Sequence, residues 1–302
     1  MSASNSHLRA ILYALFGFAG WVTADSSMKL AAELGAAKYE IMAIAGPIGM
    51  AAIFIVTLLR GDLAKLRPHR PSGLALLALL FLLNYVCFIT ALPHMSLADF
   101  YTIIFMAPII IAILAAVFLH EKINWQKGLA ISAGFVGVII AVNPAALLGG
   151  DKDWVSHGIA ILGMLSMSVQ MLLLRILGTH DSRESMSFYP RLGAFVGGCI
   201  GIVIYGLEPM TAKTVFYSAM TGIFGSIGWL FVAQAYRLAP AATVAPFQYS
   251  EILFGAVFGY FIWHNIPDAH LLLGAAIIVA SGIYIVRHAH RAAALLKEEG
   301  HV

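Results

Sequence analysis

The sequence is dominated by apolar runs that are long enough to cross a lipid bilayer. A membrane-spanning helix needs about 20 mostly apolar residues. Ten runs approach or meet this length, and no polar segment between them is long enough to form a soluble domain. They lie at residues 10–28, 41–59, 72–92, 100–119, 128–142, 158–174, 192–207, 214–236, 238–263 and 271–286. The pattern predicts an all-α integral membrane protein with ten transmembrane helices.

Composition favours the same class of protein and excludes others. Of 302 residues, 61% are hydrophobic and 11% are charged, against about a quarter charged in soluble domains. A formal net charge of +3 without a clustered basic face argues against nucleic-acid binding. Cys87 and Cys199 lie in apolar runs and are interpreted as small buried side chains. The histidines show no zinc-ligand spacing and no phosphate-binding loop is present, so we expect neither a metal nor a cofactor.

Loop charge predicts the orientation, because Lys and Arg stay on the cytoplasmic side. With the N-terminus inside, only Lys29, Lys38, Lys152 and Lys213 fall outside, which leaves fourteen of the 18 basic residues on the cytoplasmic side. Arg191, taken as a loop residue before the seventh run, is one of the fourteen. The bias predicts both termini in the cytoplasm, an even number of helices, and a bacterial inner-membrane location.

The two halves of the chain show a related pattern. A shift of 144 residues places 84–120 over 228–264, with three matched alanines and the match of His120 to His264. We therefore expect five helices in residues 1–148, five in 149–290 and a short cytoplasmic tail at 291–302. An odd number of helices per half inserts the second half upside down. This predicts an inverted repeat around a central cavity, with the substrate site between the halves.

Two segments resemble the end of an EamA-type repeat of the drug/metabolite transporter superfamily. The first reads FMAPIIIAILAAVFLHEKINWQKGLAISAGFVGVIIAV, with Pro108 in the helix, Glu121 just past it, and Gly128 to Gly137 in the next helix. The second reads APFQYSEILFGAVFGYFIWHNIPDAHLLLGAAIIVASGIYIV. It departs from the family pattern at Ile252, which takes the place of Pro108, and at Asn265, where an acidic residue is usual.

The resemblance implies ten helices, cytoplasmic termini and a central cavity lined by helices 1, 3, 4 and 6, 8, 9. It implies a secondary transporter or exchanger of a small organic metabolite that works by alternating access, and not an enzyme. The second half resembles the groups that move S-adenosylmethionine or riboflavin, with aromatic amino-acid exporters as neighbours. The expected partners are the small-molecule substrate and the lipid bilayer, and the expected assembly is a monomer or a homodimer.

Two alternatives belong to other functional classes. A membrane-embedded enzyme acting on a lipid-linked substrate should show clustered His, Asp or Arg at one membrane face, and the outer loops are nearly free of such clusters. A scaffold or receptor that transports nothing would not need the amides and the carboxyl that lie inside the apolar runs.

Two carboxyl groups within the apolar runs are candidates for proton coupling. Glu251 is predicted to lie in the middle of the ninth run, where an ionisable residue costs about 2.5–3.5 kcal/mol on insertion scales. It would contact substrate or carry a proton, or else serve as a structural carboxyl bonded to a neighbouring helix. Asp25 precedes Lys29 by four residues, so the two side chains share one helix face and can form an interfacial ion pair.

Further polar and aromatic residues are predicted to line the cavity. Rings with one polar group suit planar or amphipathic solutes, although single aromatic residues more often serve ordinary packing. Amides carry more weight because they must find hydrogen-bond partners in lipid. The predicted substrate-binding residues are Trp21, Asn84, Tyr85, Tyr101, Gln170, Trp229, Gln248 and Glu251.

The orientation gives a direct test. A reporter that is active only in the periplasm, fused to the C-terminus, should stay silent, because the Lys and Arg bias keeps that end in the cytoplasm. The same reporter placed in the predicted outer loop near Lys213 should be active and serves as the control. A strong periplasmic signal from the C-terminal fusion would contradict a topology with an even number of helices.

Overall fold

The computed structural model describes residues 3–91, 94, 100, 103–121, 124–141, 153–264, 266 and 269–298. This part of the chain is helical without any strand, which confirms the predicted all-α class. Its ten helices of at least 12 residues are α1 (Ala3–Glu33), α2 (Lys38–Leu59), α3 (Pro71–Ala91), α4 (Ala107–Phe118), α5 (Trp125–Ala141), α6 (Trp154–Leu177), α7 (Arg183–Tyr205), α8 (Ala212–Leu238), α9 (Ser250–Trp263) and α10 (Ala269–Glu298).

Five of the described helices are long and apolar enough to cross a bilayer, namely α2, α3 as far as Phe88, α6, α7 and α8. Three shorter apolar helices lie at Ala107–Phe118, Gly128–Ala141 and Ala269–Tyr284. Many large apolar side chains on these helices face outward, including Phe118, Val203 and Phe261. A surface of this kind suits lipid and would be poorly soluble in water.

Helices of the first half of the chain pack on helices of the second half. The set of pairs stays the same when each helix is replaced by its counterpart in the other half. Helix α1 packs on α8, and α6, the corresponding first helix of the second half, packs on α3. Helix α2 packs on α7 and α5 packs on α10, so each of these pairs joins two corresponding helices.

The contact between α5 and α10 shows the same relation at the level of single residues. Ser281 Oγ donates a hydrogen bond to the carbonyl oxygen of Ala130 at 2.6 Å. At the other end of the contact, a Cβ on Gly137 would lie 2.9 Å from the carbonyl oxygen of Gly274. A shift of 144 residues converts one pair into the other. The two helices therefore run antiparallel, and each uses equivalent positions to face its partner.

The fourth and ninth predicted helices are both interrupted at equivalent points. A turn at Phe105 and Met106 precedes α4, and a 3₁₀ turn at Ala245–Tyr249 precedes α9. Both helices end in left-handed backbone, with φ of 53° at His120 and 56° at His264.

The predicted start of the ninth helix at 238 is wrong, because α9 begins only at Ser250. Helix α8 ends at Ala239, which is extended, and the chain then forms a short helix at Ala241–Val244 and the 3₁₀ turn before α9. Pro240 and Pro246 account for these breaks, since proline has no N–H to continue a helix and favours its first turn. Glu251 therefore lies in the first turn of α9 and not in the middle of a long helix.

The predicted start of the seventh helix is also wrong. Helix α7 begins at Arg183, nine residues before the predicted 192, because Ser182 caps it by accepting a hydrogen bond from the Ser185 amide at 3.0 Å. The polar first turns of α7 hide this start from a hydropathy pattern. Arg191 consequently lies about 12 Å along a helix, where it is buried, and not in a cytoplasmic loop.

Glycines allow α1 and α8 to approach closely. A Cβ on Gly20 would lie 3.0 Å from the Cα of Gly228, and a Cβ on Gly228 would lie 2.9 Å from the carbonyl oxygen of Gly17. The indole of Trp21 lies closer still to that Gly228 position. Small residues at a helix crossing permit this backbone contact in a membrane protein.

Replacing Gly228 by alanine should weaken this crossing. The added methyl group meets backbone and the Trp21 ring, so Gly228→Ala should lower the free energy of unfolding by about 1–3 kcal/mol, as overpacking does. Thermal unfolding of the purified protein in detergent measures the loss. Gly255→Ala is the matched control, because nothing lies within 4 Å of a Cβ at Gly255. Equal stability of the two variants would contradict the close contact.

Candidate functional site

Aromatic rings from both halves meet at the centre of the helix bundle. The rings of Trp21 on α1 and Trp229 on α8 have centroids 5.5 Å apart. Phe81 on α3 stands edge-on to Trp229 at 5.7 Å, and the guanidinium carbon of Arg191 on α7 lies 5.5 Å from the centre of the Phe81 ring. We call these four residues, together with Asp25, Tyr85 and Glu251, the central cluster.

Helical spacing brings the remaining polar members to the same place. Asp25 follows Trp21 by four residues on α1, and Tyr85 follows Phe81 by four on α3, so each pair shares one helix face. A Cβ on Gly225 would lie 3.0 Å from Arg191 Nη2 and 3.5 Å from the Cβ of Ala24, so the turn of α1 that carries Asp25 lies beside the guanidinium. Helix α9, whose first turn carries Glu251, packs on α1. The central cluster therefore contains two carboxyl groups, one guanidinium group and four aromatic rings.

Arg191 is the member that the sequence interpretation missed. Only 7% of the residue is exposed, yet its Nε and Nη2 have no hydrogen-bond partner among the residues that the structure describes. The side chain passes two glycines: a Cβ on Gly49 would lie 3.4 Å from its Cδ, and a Cβ on Gly225 would lie 3.0 Å from its Nη2. Larger residues on α2 and α8 would occupy this space. The serine cap at Ser182 is the sequence signal that could have placed Arg191 inside a helix.

The predicted pair of Asp25 and Lys29 does not form. Lys29 instead approaches Glu33, with 3.9 Å between Nζ and Oε1, and its ammonium lies 4.0 Å from the centre of a Trp263 ring. The Trp263 indole donates to the same Glu33 carboxylate at 3.1 Å. Asp25 is exposed and, in the described part of the chain, has neither a hydrogen bond nor an ion pair.

Two predicted cavity residues instead join α3 to α6. Asn84 Nδ2 donates to the carbonyl oxygen of Gly163, and Gln170 Nε2 donates to that of Leu80, both at 3.2 Å. These bonds do not bring either amide into the central cluster. They meet the requirement that an amide inside an apolar bundle find a partner.

Tyr85, a member of the central cluster, and Gln248 also contact other parts of the bundle. Tyr85 donates its hydroxyl to the carbonyl oxygen of Lys38 at 3.1 Å, which ties α3 to the start of α2. Gln248 is buried in the 3₁₀ turn before α9, with its amide 3.9 Å from the Met167 sulfur. Tyr101, and the family position Asn265, lie outside the described residues.

A hydrogen-bonded link closes the end of the bundle at which α1 begins. Arg175, at the end of α6, donates to Glu121 Oε1 at 3.3 Å. The backbone amides of Ala241 and Ala242 donate to the two oxygens of the same carboxylate at 3.2 and 3.3 Å. Glu121 is the acidic residue singled out by the family resemblance. It joins the end of α4 in the first half to α6 and the interhelical segment of the second.

A separate groove of about 410 Å³ lies near the other end of α1. None of its lining residues belongs to the central cluster. The lining is formed by Leu30, Glu33, Leu34, Ala212, Lys213, Phe216 and Tyr217.

The apolar helices and their apolar outer surface indicate a multi-pass helical membrane protein. The sequence matches the EamA-like transporter family twice, at residues 8–143 and 155–287. The chain belongs to this family, which confirms the predicted resemblance to the drug/metabolite transporter superfamily. Because the family consists of transporters, the alternative of a membrane-embedded enzyme is set aside.

Individual relatives agree with this membership. An S-adenosylmethionine uptake transporter of Rickettsia bellii is 30% identical over 60% of this chain and 61% of its own length, so the match spans less than two thirds of that relative. A riboflavin transporter of Rhizobium johnstonii is 24% identical over 91% of this chain and 88% of its own length. A solved structure described as a crystal structure of protein superposes with a TM-score of 0.77 at 17% identity, covering 94% of this chain and 98% of the other. That likeness concerns the fold alone.

The link through Glu121 should contribute measurably to stability. Glu121→Ala leaves the Arg175 guanidinium and two backbone amides without their acceptor, which should cost about 3 kcal/mol, as for a broken partly buried ion pair. Thermal unfolding in detergent measures the change. Asp62→Ala is the control, because the pair of Asp62 and Lys65 is exposed and should contribute less than about 1 kcal/mol. A Glu121→Ala variant as stable as the control would show that the link is weak.

Proposed function

We infer that the protein is a secondary transporter or exchanger of a small organic metabolite and works by alternating access across a bacterial inner membrane. Family membership supports transport across a membrane. The absence of a phosphate-binding loop from the sequence supports a mechanism without ATP hydrolysis by this chain. Moving Arg191 into α7 leaves thirteen basic residues on the cytoplasmic side against four outside, so the charge bias still favours cytoplasmic termini.

We further propose that all ten long helices cross the membrane as two inverted repeats of five. The antiparallel contact of α5 with α10 and the equivalent pairings of α1 with α8 and α3 with α6 support this arrangement. The central cluster then lies where the repeats meet, which is the usual position of the substrate site in transporters built this way.

The observation that carries the proposal is the set of ionisable residues inside an apolar bundle. Asp25, Arg191 and Glu251 come from three helices of both halves: α1 carries Asp25 and packs on α9, which carries Glu251, and the Arg191 side chain packs beside α1 at Gly225. Charged groups at such positions are costly in a bilayer and mark substrate or ion pathways. Arg175, a partly buried cation near a carboxylate, has hydrogen bonds to protein acceptors and therefore has a structural role.

The aromatic rings support a solute with a planar group. Trp21, Phe81 and Trp229 offer ring faces and edges suited to a heteroaromatic system. The relatives named above are transporters of S-adenosylmethionine and of riboflavin, and both solutes contain a fused heteroaromatic ring. We propose a substrate of this kind, and S-adenosylmethionine is the first to test.

The two ends of the helix bundle differ in solvent exposure, and this difference fits alternating access. Asp25 is exposed, whereas Tyr236, Ala239 and Ala241 near the Glu121 link are fully buried. We propose that this is a state open toward the outer side and closed toward the cytoplasm. Inward opening would then separate Glu121 from Ala241 and its neighbour.

Transport into proteoliposomes tests the proposal. Purified protein should accumulate radiolabelled S-adenosylmethionine or riboflavin above the level in protein-free liposomes, or release it from preloaded vesicles. Because the direction of transport depends on gradients, both uptake and efflux are measured. The absence of protein-dependent movement for both solutes would reject this substrate class.

Proton coupling is tested at Glu251. If this carboxyl carries the proton, Glu251→Gln should keep the fold and substrate binding but lose the response of transport to a pH gradient, because an amide cannot be deprotonated. Asp25→Asn tests the second candidate in the same way. The measurement compares the proteoliposome transport rates of each variant with and without the gradient.

Glu33→Gln is the matched control, since Glu33 is a partly exposed carboxylate at the end of α1 outside the cluster. It should transport with the wild-type pH response. An unchanged rate and pH response in Glu251→Gln would remove that carboxyl from the mechanism.

A further inference from the structure

We propose that Arg191 binds a carboxylate of the transported substrate and that Asp25 faces a cationic centre of the same molecule. The proposal rests on the transport function inferred above and narrows its substrate class. It assigns the central cluster to an amino-acid-type zwitterion that carries an aromatic group or a second cation.

Hydrogen-bond donors without acceptors are concentrated at this place. Eight buried side-chain atoms lack a partner in the described part of the chain, and four of them belong to Trp21, Arg191 and Ser226. They are the Trp21 indole Nε1, the Arg191 Nε and Nη2, and the Ser226 hydroxyl. Buried polar groups are normally paired. A group of unpaired donors around a guanidinium is therefore a site that lacks an anionic acceptor.

The guanidinium has one donor edge without protein partners in the described part of the chain. The Phe81 ring centre lies 5.5 Å from the guanidinium carbon, and the side chain packs against Gly49 and Gly225, where a Cβ would lie within 3.4 Å of it. Arginine can stack on a ring and still bind a carboxylate with two parallel hydrogen bonds from its edge. The two donors without partners, Nε and Nη2, lie on one such edge of the guanidinium.

The turn of α1 that carries Asp25 lies beside Arg191, because Ala24 and the Arg191 guanidinium both pack on Gly225. Neither Asp25 nor Arg191 forms an ion pair within 4.0 Å with any described residue. A ligand with a carboxylate at Arg191 and an ammonium or sulfonium at Asp25 would give each of these side chains a partner of opposite charge.

A structural guanidinium in the same protein looks different. Arg175 donates to the Glu121 carboxylate and to the carbonyl oxygens of Tyr236 and Arg237. Arg191 is more deeply buried and has none of these acceptors. The contrast assigns ligand binding, rather than structural stabilisation, to Arg191.

Pairs of ligands that differ only in the carboxylate test the assignment. The probes are S-adenosylmethionine with its decarboxylated form, L-phenylalanine with phenethylamine, and riboflavin, which has no carboxylate. Affinities are measured by calorimetry on the full chain in lipid nanodiscs. The wild type should prefer the carboxylate member of at least one pair by about ten- to a hundredfold, the value of charge-assisted hydrogen bonds.

The variants separate recognition from folding. Arg191→Gln should bring the affinity ratio of that pair close to one, and Arg191→Lys should retain part of it. Asp25→Asn should weaken both members of the pair alike. Arg183→Gln, on the same helix but paired with Glu184 away from the cluster, should leave the ratio unchanged. The ratio is insensitive to loss of folded protein, which would weaken every ligand equally.

Each outcome decides the proposal. A ratio that stays the same in Arg191→Gln, or a wild type that binds both members of each pair equally or binds riboflavin alone, overturns the carboxylate assignment while transport stands. If no probe binds and none is moved in proteoliposomes, both the assignment and the proposed function fail.

Discussion

The inability of hydrocarbon to solvate polar groups is the constraint on which this structure depends. Each buried amide or charge must find a partner inside the protein or face a site that supplies one. Asn84 and Gln170 meet the demand by bonding across α3 and α6, and Glu121 does so with Arg175 and two backbone amides. Arg191 has no such partner among the described residues. The same requirement that explains the structural hydrogen bonds therefore singles out Arg191 as the group that faces a site.

Much of the helix arrangement was predictable because apolar length is a direct requirement of the bilayer. The predictions fail where a polar segment is helical and where an apolar segment does not form one helix. The first turns of α7 are polar yet helical, because a serine cap rather than apolar content determines their start. The ninth run is apolar over most of its length, yet Pro240 and Pro246 break it. Capping and proline placement therefore carry information that a hydropathy pattern lacks.

The site was predictable only in part, for the same reasons. Trp21 and Trp229 do meet in the central cluster, although nothing in either local sequence says that α1 packs on α8. Arg191 was assigned to a loop because the start of its helix was misplaced. Glu251 was placed too deep because the ninth helix was expected to begin at 238, whereas α9 begins only at Ser250. Tertiary pairing, which depends on glycines such as Gly228, determines which side chains share a site.

The contact between Phe105 and Tyr249, whose ring centroids are 6.3 Å apart, joins positions that are 144 residues apart. In a dimer of identical five-helix units, such a contact would place one residue against its own copy, and a single change would alter both sides. On one continuous chain the two positions can differ. Here only Tyr249 has a hydroxyl, and it has no partner among the described residues. Two repeats fused in one chain can therefore have different residues where equivalent positions meet, whereas two copies of the same chain cannot.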